Sequence, residues 1–204
     1  TIKGVEELNL EDYKVIPERI EAGSYILATM ATKGRLRLNN FNPNDLTFPL
    51  KIYQDMGLKI KKISKTSYEF NCKRLKPIKK ISTKEYPGYP TDLQAQLIAT
   101  QLKSALKSKV VENIFENRFI HIPELRRFGA NLSIIGKTVT IHKTLNLFGA
   151  EVMATDIRAS FSLIIAAMMS KGTTVINRIY HLDRGYEDFD LKLKKCGVNI
   201  SRKK

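Results

Sequence analysis

Three arginines and two aspartates are the residues of this sequence best suited to do chemistry. Arg118 stands in Phe115-Glu-Asn-Arg-Phe119, Arg158 in Thr155-Asp-Ile-Arg158, and Arg184 in His181-Leu-Asp-Arg-Gly185. A guanidinium is a planar fork that grips a carboxylate or phosphate through two parallel hydrogen bonds. Arginines brought together from separate parts of a chain make a site for a small, multiply charged anion. Left apart, they are surface cations beside the neighbouring acids Glu116, Asp156 and Asp183. The pattern by itself leaves both readings open. Asp92 closes Tyr86-Pro-Gly-Tyr-Pro-Thr-Asp92, and Gln94 stands three residues after Thr91, a capping-box spacing that puts Asp92 on the first helical residue. The helix dipole favours an anion there, whether Asp92 accepts a proton in a reaction or only steadies the helix start.

These residues sit at matching points of a pattern stated three times. Thr91-Asp92 opens an amphipathic run to Ser108-Lys109, followed by a β-type run from Val110 to Ile114 and a helical run closed by Gly129. Thr155-Asp156 opens a run to Lys171-Gly172, then a β-type run from Thr173 to Ile179 and a helical run closed by Gly197. A weaker copy starts at Pro17-Glu18, passes Lys33-Gly34 and Leu36 to Leu38, and closes at Gly57. The closing glycines are about seventy residues apart, longer than the roughly 20–50 residues of solenoid repeats, so three large α/β units in one body are expected.

The positioning elements follow from local pattern. Ile20 to Met30 fits a buried helix, and Val15-Ile16 reads as a short strand entering a Pro17-initiated turn. Asn44-Asp45 opens a helix over Leu46 to Met56, and Lys59–Ile63 with Ser67–Phe70 predicts a hairpin. Lys76 to Tyr89 reads as a linker with one extended piece; after it Leu93, Leu97, Leu102 and Leu106 share one helical face. Pro123 starts a short helix, and Gly136-Lys137 turns a hairpin between Asn131–Ile135 and Thr138–His142. Gly136-Lys137-Thr138 is not a phosphate loop. Asn131 stands where that motif needs glycine, and a strand follows instead of a helix. The third unit should begin a hairpin at Val198-Asn-Ile200, leaving a strand without its partner.

The chain has 204 residues, enough for a full core, with 43% hydrophobic and 27% charged residues, a globular composition. Its net charge of +15 fits either nucleic-acid binding or an anionic small substrate amid solvated lysines. Aromatics do not interleave with the lysines as a single-strand stacking platform requires. No apolar run reaches the roughly 18 residues of a membrane span. Thr1-Ile-Lys-Gly-Val lacks the pattern of a signal peptide, so a cytoplasmic protein is expected. Cys72 and Cys196 have no metal or redox spacing, and His121, His142 and His181 are dispersed, reading as hydrogen-bonded or surface histidines. No metal or cofactor is expected.

Four strings, "YPGYPTDLQAQ", "ENIFENRFIHIPELRRFGA", "EVMATDIRAS" and "RIYHLDRGYE", together resemble the UDP-N-acetylglucosamine enolpyruvyl transferase family, in the same order and over essentially the whole chain. The sister enzymes of aromatic biosynthesis share that fold but not these strings. The resemblance implies an α/β domain of three βαβαββ repeats arranged as an inside-out α/β barrel, the last repeat lacking a partner strand. It also implies that 1–16 trails from another domain, that 17–204 is the three-repeat domain, and that the chain matches about the latter half of a family member. By the resemblance the reaction moves the enolpyruvyl group of phosphoenolpyruvate to the 3-hydroxyl of UDP-N-acetylglucosamine in peptidoglycan precursor synthesis. Asp92 would be the base near that hydroxyl, with Asp156 tuning the cluster or assisting proton transfer. Ile114 and Phe115 would meet the UDP-sugar, Arg118 and Arg158 the phosphoenolpyruvate carboxylate, and Arg184 its phosphate. The family's phosphate-binding lysine with its asparagine, its mobile cysteine loop and a further arginine have no counterpart here. A complementary N-terminal half is therefore the implied partner, and the chain alone is expected to be inactive. A basic, non-catalytic α/β module that binds nucleic acid or a protein is the alternative.

Overall fold

Three helices with almost no polar face form the centre of the structure, a computed structural model that describes residues 1–7 and 12–203. Residues 8–11, inside the stretch 1–16 read as part of another domain, and Lys204 lie outside the described residues. The first third of the chain forms α1 (Arg19–Ala31), β1 (Arg35–Leu38), α2 (Thr47–Asp55), β2 (Lys59–Lys62) and β3 (Tyr68–Asn71). The middle third forms β4 (Lys80–Ser82), α3 (Gln94–Gln101), β5 (Ser108–Val111), α4 (Ile122–Arg127), β6 (Leu132–Ile135) and β7 (Thr138–Ile141). The last third forms β8 (Glu151–Met153), α5 (Ile157–Met169), β9 (Val175–Asn177), α6 (Tyr180–Asp183) and α7 (Phe189–Lys195). Short 3₁₀ turns, Pro43–Leu46 and Thr91–Leu93, lead into α2 and α3.

Helices α1, α3 and α5 pack on one another because their apolar residues leave no face for water: every residue of α3 is buried, as are Gly23–Ala31 and Ala159–Ala166. Ser24, Gln96 and Tyr186, one from each third, close a buried polar node. Ser24 Oγ and Tyr186 Oη are 2.8 Å apart, and Gln96 Nε2 donates to both at 3.1 and 3.2 Å. Three small sheets surround the helices. The first has order β1-β3-β2, all antiparallel; the second β4-β5-β7-β6, with β4 parallel to β5; the third is the parallel pair β8-β9. The hairpin of β6 and β7 turns at Gly136, where φ is +53°.

Several sequence expectations are corrected. Val15 and Ile16 are exposed and form no strand, since no described strand lies beside them to pair with. Leu106 is 65% exposed because α3 stops at Gln101, five residues before it. Val198–Ile200 is not a strand: Val198 donates its N–H to Leu193 O, and Val198 and Ile200 pack against the core instead of presenting an edge. Thr91 is not a helix cap. Pro90 precedes the 3₁₀ turn, no side chain caps it, and Thr91 Oγ1 donates to Glu112 Oε2 at 2.8 Å. A long-range carboxylate has outcompeted the local amide for that hydroxyl.

The three closing glycines are all left-handed, with φ of +108° at Gly57, +88° at Gly129 and +90° at Gly197. They differ in surroundings. A Cβ on Gly57 would lie 2.3 Å from Arg74 O, whereas one on Gly129 meets nothing nearer than 3.7 Å. Gly129→Ala should therefore cost only the left-handed penalty, about 1–2 kcal/mol. Gly57→Ala adds a backbone clash and should cost at least about 2 kcal/mol more. Urea unfolding of the two variants checks the order; equal losses would show that the Arg74 segment yields freely.

Candidate functional site

Asp92 is placed by what surrounds its turn. Leu93 and Tyr89 are fully buried on either side of it, and Tyr89 Oη meets Tyr53 Oη at 3.0 Å and donates to Leu93 O at 3.3 Å. The backbone is pinned inward and the carboxylate stays about one-third exposed. Arg118 arrives from the turn after β5, just past Asn117 at φ +54°, a conformation asparagine tolerates. Gln94, expected as the capping partner of Thr91, is buried and donates from Nε2 to Arg118 O at 3.1 Å. Arg158 arrives on the first turn of α5. Asp156 caps that helix, its Oδ1 accepting from Arg158 N at 2.8 Å and Ala159 N at 2.7 Å.

The three groups meet. Arg118 Nη2 lies 3.3 Å from Asp92 Oδ1, and Arg158 Nε 3.9 Å from Asp92 Oδ2. Arg158 Nη2 also approaches Glu18 at 3.8 Å, while its Nη1 is buried with no hydrogen-bond acceptor among the described residues. The Arg158 guanidinium lies 6.0 Å from the Tyr186 ring, and that of Arg118 lies 4.8 Å over the Phe115 ring. Arg184 does not join this contact set. It is exposed at the end of α6 and lines, with Arg158 and Glu18, a depression of about 860 Å³. Ile114 is half-buried and Phe115 is 55% exposed beside Arg118. Asp156 forms no ion pair among the described residues; its carboxylate serves the helix start.

Two residues outside the sequence expectations belong to this neighbourhood. Glu112 is 3% exposed, and its carboxylate accepts from Thr83, Thr91, Ile114 and Phe115. The sequence signal was a lone acid inside the β-type run Val110–Ile114. The strand ends at Val111 because the Glu112 side chain takes over the following amides. His121 is not a surface histidine: it is fully buried beside the Arg118 backbone, and neither ring nitrogen makes a well-formed hydrogen bond among the described residues. Burial drives its pKa down to about 4, against the opposing charge of nearby Asp156. Cys72 is buried, and burial pushes its thiol pKa up; Cys196 is exposed on a separate depression beside α1 and α7.

An arrangement of a carboxylate between two guanidiniums, one with an unused donor, can hold a small anion and take a proton beside it. Among the described residues no group of His, Cys, Asp or Glu is gathered to hold a metal, and no helix is long and apolar enough to cross a membrane.

Comparison with known proteins gives the same direction. The family described as EPSP synthase (3-phosphoshikimate 1-carboxyvinyltransferase) matches residues 1–193. Proteins named UDP-N-acetylglucosamine 1-carboxyvinyltransferase from Pelagibacter ubique and Bartonella henselae are 47% and 48% identical, over 98% and 99% of this chain. The chain spans about half the length of the curated relatives it matches, 48% and 47% of these two. Among solved structures, the enolpyruvyl transferase NikO from Streptomyces tendae superposes with a TM-score of 0.81 at 24% identity, over 92% of this chain and 44% of that one. EPSP synthase from Acinetobacter baumannii gives 0.70 at 15%, over 91% and 46%. These two share the fold, and the sequence matches fix the lineage: the chain belongs to the EPSP synthase (3-phosphoshikimate 1-carboxyvinyltransferase) family, within which it is similar to the UDP-N-acetylglucosamine 1-carboxyvinyltransferases.

Proposed function

We propose that this chain forms one wall of an active site that transfers the enolpyruvyl group of phosphoenolpyruvate to the 3-hydroxyl of UDP-N-acetylglucosamine, a cytoplasmic step of peptidoglycan precursor synthesis. The observation that carries the reading is the Asp92 carboxylate held between Arg118 and Arg158, with a buried donor of Arg158 without an acceptor among the described residues. The arginine contacts to Asp92 are long, so an incoming carboxylate or phosphate competes for both guanidiniums and releases Asp92 to take the hydroxyl proton. The sugar oxygen then bonds to C2 of phosphoenolpyruvate as C3 gains a proton. Loss of a proton from C3 with departure of phosphate restores the double bond. Arg118 and Arg158 hold the carboxylate, Arg184 the phosphate from the rim of the shared depression, and Ile114 and Phe115 the UDP-sugar. Cations aimed at the leaving phosphate stabilise its charge. Asp156 acts at one remove, by fixing the start of the helix that presents Arg158.

The same reading takes 17–204 as a domain of three βαβαββ units and 1–16 as chain belonging to another domain. The middle third runs β4-α3-β5-α4-β6-β7, which is that order in full. Catalysis then needs a complementary N-terminal half, because the arginine face is open on this side and water screens each contact. Phosphate release from phosphoenolpyruvate with UDP-N-acetylglucosamine, with and without the N-terminal half of a relative, tests both points. Turnover is expected only with the two halves together. Turnover by the chain alone would overturn the need for a second wall, and none in either case would overturn the function.

A second reading has one observation in its favour. The outer face of the first sheet sets Arg35, Arg37, Lys59 and Lys61 side by side with Glu69 as the lone acid, a surface suited to an anionic polymer. Affinity for RNA at physiological salt without affinity for UDP-sugar would decide for it.

A further inference from the structure

Glu112 carries a buried carboxyl group with no cation within ion-pair distance among the described residues. Removing a carboxylate from water is costly unless donors replace its hydration. Four do. Oε1 accepts from Thr83 Oγ1 at 2.8 Å, Ile114 N at 2.8 Å and Phe115 N at 3.2 Å; Oε2 accepts from Thr91 Oγ1 at 2.8 Å. Thr83 Oγ1 in turn accepts from Asn113 N at 2.8 Å, so three successive amides of the turn after β5 are fixed directly or through one hydroxyl. The acceptor itself is rigid. Glu112 N donates to Lys137 O in the turn between β6 and β7, and Thr83 N donates to Val111 O.

The donors are not a random set. Thr91 adjoins Asp92, and Ile114 and Phe115 begin the turn that delivers Arg118. We propose that Glu112 is a positioning residue for the sugar-nucleotide side of the site: one carboxylate sets the spacing between the turn of Asp92 and the backbone at Ile114–Phe115. This rests on the function proposed above, because it takes those segments as the UDP-sugar contacts. A residue that only supported the fold would affect both substrates alike. A residue that sets this spacing affects the UDP-sugar first: Gln94 holds the Arg118 carbonyl and Arg158 stands on its own helix, so the arginine-bound anion feels the change only through the Phe115 ring under Arg118.

The test uses the chain paired with the N-terminal half of a relative and calorimetric titration of UDP-N-acetylglucosamine and of phosphoenolpyruvate. Glu112→Ala is expected to weaken the UDP-sugar by about tenfold or more, the scale of one lost charge-assisted hydrogen bond, with phosphoenolpyruvate within about twofold. Glu112→Gln should restore most of the affinity, because its amide oxygen serves the Oε1 donors and its amide nitrogen can donate to Thr91 Oγ1. If Glu112→Ala does not fold, Thr91→Val deletes one contact while keeping a branched side chain, and the same selective loss is expected at a few-fold. Equal weakening of both substrates, or none of either, overturns the proposal. A wild type that binds neither ligand overturns instead the function on which it rests, and this proposal with it.

Discussion

On the function proposed above, Asp92→Ala in the two-half enzyme is expected to lower turnover by about 10²–10⁴-fold, the range for losing a positioned general base. The fold should tolerate the change. The carboxylate is about one-third exposed, and the turn is held by buried Leu93 and the Tyr53–Tyr89 pair, not by the acid. What marks the result as catalytic is its split between parameters. Deleting Asp92 leaves Arg118 and Arg158 without their shared carboxylate, so phosphoenolpyruvate should bind as well as before or more tightly. Steady-state kinetics varying each substrate measures this. A loss of phosphoenolpyruvate affinity in step with kcat would show that Asp92 orients the arginines and takes no proton.

The second large effect is on stability and comes from His121. Its folded pKa of about 4 lies below the ordinary value of 6.5 because burial disfavours the imidazolium. The unfolded chain therefore takes up a proton that the folded one refuses. His121 costs nothing above about pH 6.5; as pH falls from there toward 4 stability is lost, by about 3 kcal/mol in all and about 2 kcal/mol by pH 5. Below pH 4 both states are protonated and the loss levels off. His121→Leu removes the titration together with the ring's weak approach to the Arg118 backbone. Urea unfolding should find the variant within about 1 kcal/mol of the parent at pH 7 and about 2 kcal/mol more stable at pH 5. Parallel pH profiles would place a charge-accepting partner beside the ring. Because His121 lies near both Arg118 and Asp156, the parent's acid loss falls on the candidate site.

The local vocabulary of the fold was legible in the sequence. Residues 20–30 read as a buried helix, and α1 occupies Arg19–Ala31. The hairpin at Gly136 and the left-handed glycines at 57, 129 and 197 stand where a tight turn or a helix end demands φ above zero. Such features are decided within a few residues by periodicity and backbone sterics, so a single sequence contains them. The four strings that carry the family resemblance were legible for the same reason: each is a continuous run.

What the sequence left open were choices between near and distant partners. Thr91 and Gln94 satisfied a capping-box spacing, yet the threonine turned to Glu112 and the glutamine to the Arg118 carbonyl. Val15-Ile16 and Val198–Ile200 had strand composition, but a strand exists only where another offers its ladder. The arginines stood open between surface cations and a cluster; packing of α3 on α5 set Arg158 beside Asp92, the turn after β5 carried Arg118 to the same carboxylate, and Arg184 stayed on the rim. Glu112 and His121 carried no spacing signal, because a buried carboxyl group and a buried imidazole are defined by what closes over them. Residue type and local period set the elements; the competition of distant donors, acceptors and apolar faces for the same groups set the site.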